Sequence, residues 1–104
     1  MDKDALKKHF NFLQKVYEEF VLREGEYKHG RNAKIRNSAL KYLEIYLMRF
    51  ENYVVQHPEL YLLLTTEVGS DFNRALIWDE FNSIRYFSRD MANALSKIEG
   101  LLAD

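Results

Sequence analysis

The sequence predicts an all-α protein, an antiparallel helical bundle of three long helices and one short helix, with a long helix at the C-terminus. The 104 residues include one proline and four glycines, too few for the frequent turns of a β-rich fold. Apolar residues recur at spacings of three and four through most of the chain, which is the period of a helix with one buried face. A length of 104 residues predicts one domain over residues 1–104, and 47% apolar and 30% charged residues are typical of a globular protein.

The first predicted helix covers residues 4–24. Asp2 or Asp4 can cap its start, and Gly25 follows it as the residue that closes the last turn in a left-handed conformation. Residues 26–31 then form a connector. The apolar stripe consists of Leu6, Phe10, Leu13, Tyr17 and Phe20, widened by Phe12, Val16 and Val21. A stripe of this width predicts contact with two neighbouring helices.

The second predicted helix starts at an Asn32 cap and runs to Gln56, because Pro58 forces the residue before it out of the helical region. Pro58 also suits the first turn of a short third helix over residues 58–67, which Gly69 ends. The apolar set of the second helix is Ile35, Ala39, Leu43, Tyr46, Phe50 and Tyr53, with Leu40, Leu47 and Val54 beside it.

The fourth predicted helix covers residues 70–102, with Ser70 as its cap. Its apolar seam follows spacings of three and four without a break: Ile77, Phe81, Ile84, Ser88, Met91, Leu95, Ile98 and Leu102. At about 1.5 Å per residue the helix is roughly 45 Å long, which is longer than a compact domain whose radius of gyration is about 13 Å. The sequence therefore predicts a kink or a homodimer, and the predicted dimer interface is Met91, Leu95, Ile98 and Leu102.

One flank of the fourth helix predicts a partner-binding edge made of Trp78, Asn82, Arg85 and Arg89. Arginine and tryptophan are enriched at binding hot spots, and a guanidinium group can stack on an indole. The alternative is a rim where Trp78 covers the bundle and the arginines pair with carboxylates. Ser88 within the seam is either a small residue that lets a helix approach or a polar marker of register.

Residues 28–41 carry five positive charges and no acid, from Lys28, Arg31, Lys34, Arg36 and Lys41. Cations around the start of a helix can bind phosphate, so nucleic-acid binding is the alternative function. The competing interpretation is a solvated basic surface. The whole chain has a net charge of only −1, which gives no global attraction to nucleic acid or to an anionic membrane.

Residues typical of catalysis or metal binding are sparse. The chain has no cysteine, hence no disulfide, thiolate metal ligand or thiol nucleophile. Glu26 and His29 form one Glu-x-x-His pair, whereas a di-iron bundle needs two such pairs and two further carboxylates. His9 is expected to flank the core, and His57 to help end the second helix. We expect no enzymatic activity, no cofactor and no metal. A third possibility is a small-molecule pocket among Phe12, Tyr46, Phe50, Phe81 and Phe87.

The run from His57 to Leu64, a proline at a helix start before a leucine-rich turn, follows a tyrosine-rich helix. Over about 20 residues, 46–67, it resembles a helix junction in the ligand-binding and dimerising domain of TetR-type regulators. The resemblance implies an all-helical dimer. It does not extend to that family's N-terminal helix-turn-helix domain, because the first helix here reads as a single amphipathic helix.

Taken together, these features predict a small, non-catalytic protein–protein interaction module of a regulatory or adaptor type, dimeric through the C-terminal helix. The first residues show no signal peptide, and no apolar stretch reaches the length of a membrane span. We therefore expect a cytoplasmic protein that binds itself, another protein or, as the alternative, nucleic acid.

Overall fold

The computed structural model describes residues 1–66 and 80–103, and within these ranges it contains four α-helices and no strand. They are α1 (Lys3–His29), α2 (Ala33–Gln56), α3 (Pro58–Thr66) and α4 (Glu80–Ala103). The predicted all-α class is therefore confirmed. The predicted start of the fourth helix at Ser70 and the predicted helix end at Gly69 lie outside the described residues.

Side-chain caps fix the starts of the first two helices. Asp2 accepts a hydrogen bond from the backbone N–H of Ala5 at 2.8 Å, and Asn32 accepts one from the backbone N–H of Ile35 at 2.9 Å. Each cap satisfies a backbone donor that has no partner within its own helix. Asn32 was the predicted cap of α2, and Asp2 is the member of the predicted pair that caps α1.

The predicted end of α1 at Gly25 is wrong, because α1 continues through Gly25 to His29. The last turns are supported by a Lys28–Glu24 ion pair of 3.7 Å, four residues apart on one face of the helix. Gly30 is the residue that closes the helix. Its φ is −57°, so it is not left-handed, but an added Cβ would lie 2.5 Å from the Glu26 carbonyl oxygen. The chain therefore needs glycine at position 30 for space.

The core is formed where α1 packs against both α2 and α4, as the wide stripe of α1 predicted. Its centre is aromatic: the rings of Phe20 and Phe87 lie 4.6 Å apart edge to face, and Phe50 lies 5.3 Å from Phe87. The surrounding buried aliphatic residues include Leu13, Val16, Leu43, Leu47, Val54, Leu60, Leu64, Met91 and Ile98. Burial of such side chains, at about 25 cal/mol per Å² of apolar surface, is the main stabilising term.

The junction between α2 and α3 is short. His57 is the C-terminal cap of α2, where its backbone N–H donates to the Val54 carbonyl. Pro58 then begins α3, and Leu60 and Leu64 anchor that helix in the core. None of the four helices, over the ranges that the structure describes, is long and apolar enough to span a bilayer.

Candidate functional site

The seam of α4, which the sequence assigned to a homodimer, lies in the chain's own core. Met91 and Ile98 are fully buried, Leu95 is buried and Leu102 is half-buried within the single chain. The predicted dimer interface is therefore corrected, because these side chains already pack against α1 and the rest of the core. A homodimer stays a prediction, and it needs a surface other than this seam.

The predicted partner-binding edge is only partly within the described residues. Trp78 lies outside them, and Asn82 lies in α4 in a stretch where side chains are not described. Arg85 and Arg89 are exposed on α4, and their guanidinium carbons lie 5.3 and 4.7 Å from the centre of the Tyr86 ring. Arg89 also contacts the Asp90 carboxylate at 3.4 Å. The partner role of this edge stays a prediction.

The predicted basic segment surrounds the short connection between α1 and α2. Lys28 pairs with Glu24, and Arg36 donates a hydrogen bond of 2.8 Å to the Gly30 carbonyl oxygen. Both cations therefore contact groups at the end of α1 or in the turn that follows it. The exposed cations that remain on the segment are Arg31, Lys34 and Lys41.

A second seam on α2, which the sequence analysis did not single out, faces outward. We call it the outer seam, and its seven residues follow spacings of 4, 3, 4, 3, 4 and 3: Lys34, Ser38, Lys41, Ile45, Met48, Asn52 and Val55. All seven are exposed. Ile45, Met48 and Val55 are 49%, 54% and 71% exposed, which is unusual for three large apolar residues on one line. The seam is basic and polar in its first half and mainly apolar in its second.

An open groove runs beside the apolar half of the outer seam, between α1 and α2, with a volume of about 450 Å³. Its α1 wall is Phe12, whose ring stacks on the Tyr53 ring with centroids 3.7 Å apart. Arg49 lies at its edge and donates to the Glu19 carboxylate at 3.2 Å. The full lining is Phe12, Ile45, Met48, Arg49, Asn52, Tyr53 and Gln56. Apolar surface with amide groups around it suits the side chains of a bound peptide.

A chain of hydrogen-bonded polar residues around the buried His9 holds the Tyr53 wall of the groove in place. His9 is only 3% exposed; its Nδ1 lies 2.7 Å from the Tyr53 hydroxyl, and its Nε2 lies 3.0 Å from a Glu59 carboxylate oxygen. The His57 ring lies 4.9 Å from the His9 ring, and its Nδ1 lies 2.8 Å from the Tyr53 carbonyl oxygen. These hydrogen-bonded residues connect α1, α2 and α3, so they fix both the helix junction and one wall of the groove.

The pKa shifts of Tyr53 and Glu59 favour a structural role for these hydrogen-bonded residues. Burial raises the pKa of the Tyr53 hydroxyl, and the Glu59 carboxylate raises it further. A tyrosine that acts as a nucleophile or base needs the opposite shift. The backbone N–H of Glu59 lowers the pKa of the Glu59 carboxyl, burial partly opposes this, and the His9 hydrogen bond lowers it again. The carboxylate is thus kept charged and orients the imidazole, which holds Tyr53.

The residues that were considered for a metal site or a small-molecule pocket lie in different parts of the described structure. Glu26 pairs with Arg23 at 3.1 Å, and no group of three potential ligand residues for a metal occurs within the described ranges. Of the aromatic residues considered for a small-molecule pocket, Phe50 and Phe87 are packed in the core and Tyr46 is buried beside them. Phe12 lies at the groove, and the side chain of Phe81 is outside the described set.

The signal for the outer seam was present in the sequence. Its spacing is the same 4-3 repeat that identified the seam of α4. Because its first three residues are polar, it lacks the continuous apolar repeat that predicts a buried helix face. Comparison with protein-family models, with curated proteins and with solved structures gave no match. The resemblance of residues 46–67 to TetR-type regulators therefore has no family match behind it.

Proposed function

We propose that the chain is a small, non-catalytic protein–protein interaction module of a regulatory or adaptor type, which binds its partner through α2. The single observation that carries the proposal is the exposure of Ile45, Met48 and Val55 on one line of that helix. No described residue covers them. Exposed apolar residues that lie singly need no explanation, whereas several of them along one helix face are typical of an interaction surface.

The position of this row on the fold supports binding by a preformed surface. The opposite side of α2 is held in the core by Leu43, Leu47 and Phe50. A helix fixed in this way presents its outward residues with little loss of backbone entropy on binding. The groove beside Met48 adds a concave site, with the Phe12–Tyr53 stack as one wall, into which a partner side chain can insert.

Further features fit an interaction module better than an enzyme. Among the described residues, Glu59, His9 and Tyr53 have the connectivity of an acid–base relay, but this relay ends in a hydroxyl whose pKa is raised. The absence of cysteine suits a reducing compartment, and we place the module in the cytoplasm on that basis.

Affinity purification from native cell extract, followed by mass spectrometry, tests the proposal with two matched variants. Met48→Glu places a charge in the exposed row, and Leu22→Glu places the same charge at a 68% exposed apolar position on α1. We expect partner proteins to be retained by the wild type and by Leu22→Glu but lost by Met48→Glu. Circular dichroism should show equal helicity for all three, because both positions are exposed.

Partners that bind Met48→Glu as well as the wild type would contradict the proposal. A nuclease step separates the alternative function. If the retained proteins disappear after nuclease treatment, and an Arg31→Glu variant, which leaves the outer seam unchanged, loses them as well, then the basic segment and not the apolar row is the binding surface. This alternative rests on the exposed cations Arg31, Lys34 and Lys41.

A further inference from the structure

The two halves of the outer seam differ in chemistry, and this difference identifies the kind of partner that fits it. The first half presents the exposed ammonium groups of Lys34 and Lys41 with Ser38 between them, and the second half presents Ile45, Met48 and Val55. The carboxylates of α2, Glu44 and Glu51, are half-buried and do not belong to the seam. A complementary surface therefore has acidic groups at one end and apolar groups at the other.

The spacing of the outer seam points to a helix as the occupant. Seven exposed residues at alternating intervals of four and three define the narrow stripe along which two helices pack side by side. The stripe covers residues 34–55, or about 32 Å at 1.5 Å per residue, which is six turns of a partner helix. Polar residues within such a stripe, here Asn52 among apolar neighbours, fix the register of the pair.

Charge argues against a second copy of this chain as the occupant. In a parallel pair of α2 helices, Lys34 and Lys41 would face the same lysines of the other copy, so like charges would meet. In an antiparallel pair, Lys34 would face Val55 and Lys41 would face Met48, so neither ammonium group would lie directly opposite a carboxylate. Both arrangements are unfavourable, since unpaired charge at a helix interface is costly to desolvate.

We infer that the partner is a separate protein that docks an amphipathic helix along the outer seam, with an acidic half against Lys34 and Lys41 and an apolar half against Ile45, Met48 and Val55. This inference rests on the proposed function. The acidic half steers the helix and sets its direction, and the apolar half provides the affinity. The groove beside Met48 receives one apolar side chain from the partner helix.

Two synthetic 24-residue helical peptides test the inference by fluorescence anisotropy. Both carry the same apolar heptad half; the seam positions of the other half are Glu in the acidic probe and Lys in the basic probe. We expect the acidic probe to bind the wild-type chain on the order of tenfold more tightly at low salt, and the preference to shrink as salt is added. A Lys34→Glu/Lys41→Glu variant should reverse the preference, and Met48→Glu should weaken both probes.

Each other outcome contradicts the inference in a distinguishable way. Equal affinity for the two probes, both lost in Met48→Glu, would overturn the acidic partner and leave the interaction module standing. Failure of both probes at millimolar concentration would overturn the helical partner, and the affinity purification would then decide the proposed function by itself. Sedimentation with phosphatidylserine vesicles, lost in Lys34→Glu/Lys41→Glu, together with no preference between the probes, would replace the protein partner by an anionic membrane.

Discussion

Helices α2 and α4 have the same length, 24 residues each, and both carry an apolar seam that packs into the core, but their outward sides differ. From Ile84 onward, α4 exposes polar residues and small ones: Arg85, Arg89, Asn93, Ser96, Lys97, Glu99, Gly100 and Ala103. On its own outward side, α2 exposes Ile45, Met48 and Val55. Helix α4 is amphipathic in the ordinary sense over this range, whereas the second half of α2 is apolar on two sides.

This difference shows that the most regular seam of a chain can be buried in its own core. A single seam is explained by burial in the chain's own core, and the seam of α4 is buried there. A second seam on a helix whose first seam is already buried has no such explanation within the described residues. Association is therefore best sought on α2, although the sequence pattern is more regular on α4.

The largest expected effect separates two methionines, one on each helix. Met91 is fully buried on α4, so Met91→Ala should lower the free energy of unfolding by about 2–5 kcal/mol, through lost burial and an unfilled cavity. Urea denaturation followed by circular dichroism measures this. A change below about 0.5 kcal/mol, the range of neutral surface sites, would show that the seam of α4 is not in the core and would restore the dimer interface.

The next effect concerns the contact between α1 and α2, at the hydrogen bond between Tyr53 and the buried His9. Tyr53→Phe keeps the ring that stacks on Phe12 but removes the hydroxyl that contacts His9. Because His9 is buried, we expect a loss of about 1–3 kcal/mol, the cost of a buried polar group without its partner. Tyr42→Phe on the exposed side is the control and should be neutral in urea denaturation. Equal stability of both variants would mean that this hydrogen bond adds nothing to the α1–α2 contact.

A smaller effect concerns the polar interruption of the α4 seam. The Ser88 hydroxyl donates to a Glu24 carboxylate oxygen at 3.2 Å, and this bond crosses from α4 to α1. Ser88→Ala should lower the free energy of unfolding by about 0.5–1.5 kcal/mol, the usual net value of one hydrogen bond. Ser96→Ala, at an exposed position of the same helix, corrects for the higher helix propensity of alanine. A Ser88→Ala variant as stable as Ser96→Ala would leave Ser88 as a small residue at a helix contact.

The pH dependence of stability tests the Glu59 carboxylate in the first turn of α3. The pKa of Glu59 is lowered below its ordinary value of 4.5, so the folded chain holds this carboxylate in its charged form more strongly than the unfolded chain does. Its contribution is present above pH 4.5 and is lost as the pH falls through the lowered pKa. Glu59→Gln should therefore flatten the acid limb of a stability–pH profile, while Glu99→Gln on α4 should leave it unchanged. If the wild type and Glu59→Gln had parallel acid limbs, the Glu59 carboxylate would not contribute to the hydrogen bonds that hold Tyr53. Because Glu59 is 47% exposed, we expect the effect to be small.

The sequence predicted well those features that depend on local chemistry. Asn32 caps α2, Pro58 begins α3, and the spacing of apolar residues placed three long helices and a short one in their correct order. Gly25 was assigned wrongly because glycine is a common helix end, but here it is an exposed helical position with nothing within 4 Å of an added Cβ. The ion pair of Lys28 with Glu24 stabilises the turns after Gly25, and of these two glycines it is Gly30 that lacks space for a side chain.

The candidate site depends on tertiary placement, which the sequence pattern does not contain. His9 was expected to flank the core, but its bonds to Tyr53 and Glu59 join residues more than 40 positions away. Periodicity also cannot say which of two seams is buried, since Met91 on α4 and Met48 on α2 both lie on 4-3 repeats. Only the packing of α1 against both helices assigned one seam to the core and the other to the surface.

The smallest expected effect on stability concerns Met48, the exposed methionine of α2. Met48→Ala removes the same side chain as Met91→Ala, but from an exposed position, so the free energy of unfolding should change by less than about 0.5 kcal/mol. If the outer seam is a docking surface, the same variant should weaken binding of the acidic helical probe, because the groove beside Met48 loses part of its wall. A variant with unchanged stability and reduced binding separates the two roles. A loss of stability as large as that of Met91→Ala would instead place Met48 in the core, and the outward side of α2 would then be no different from that of α4.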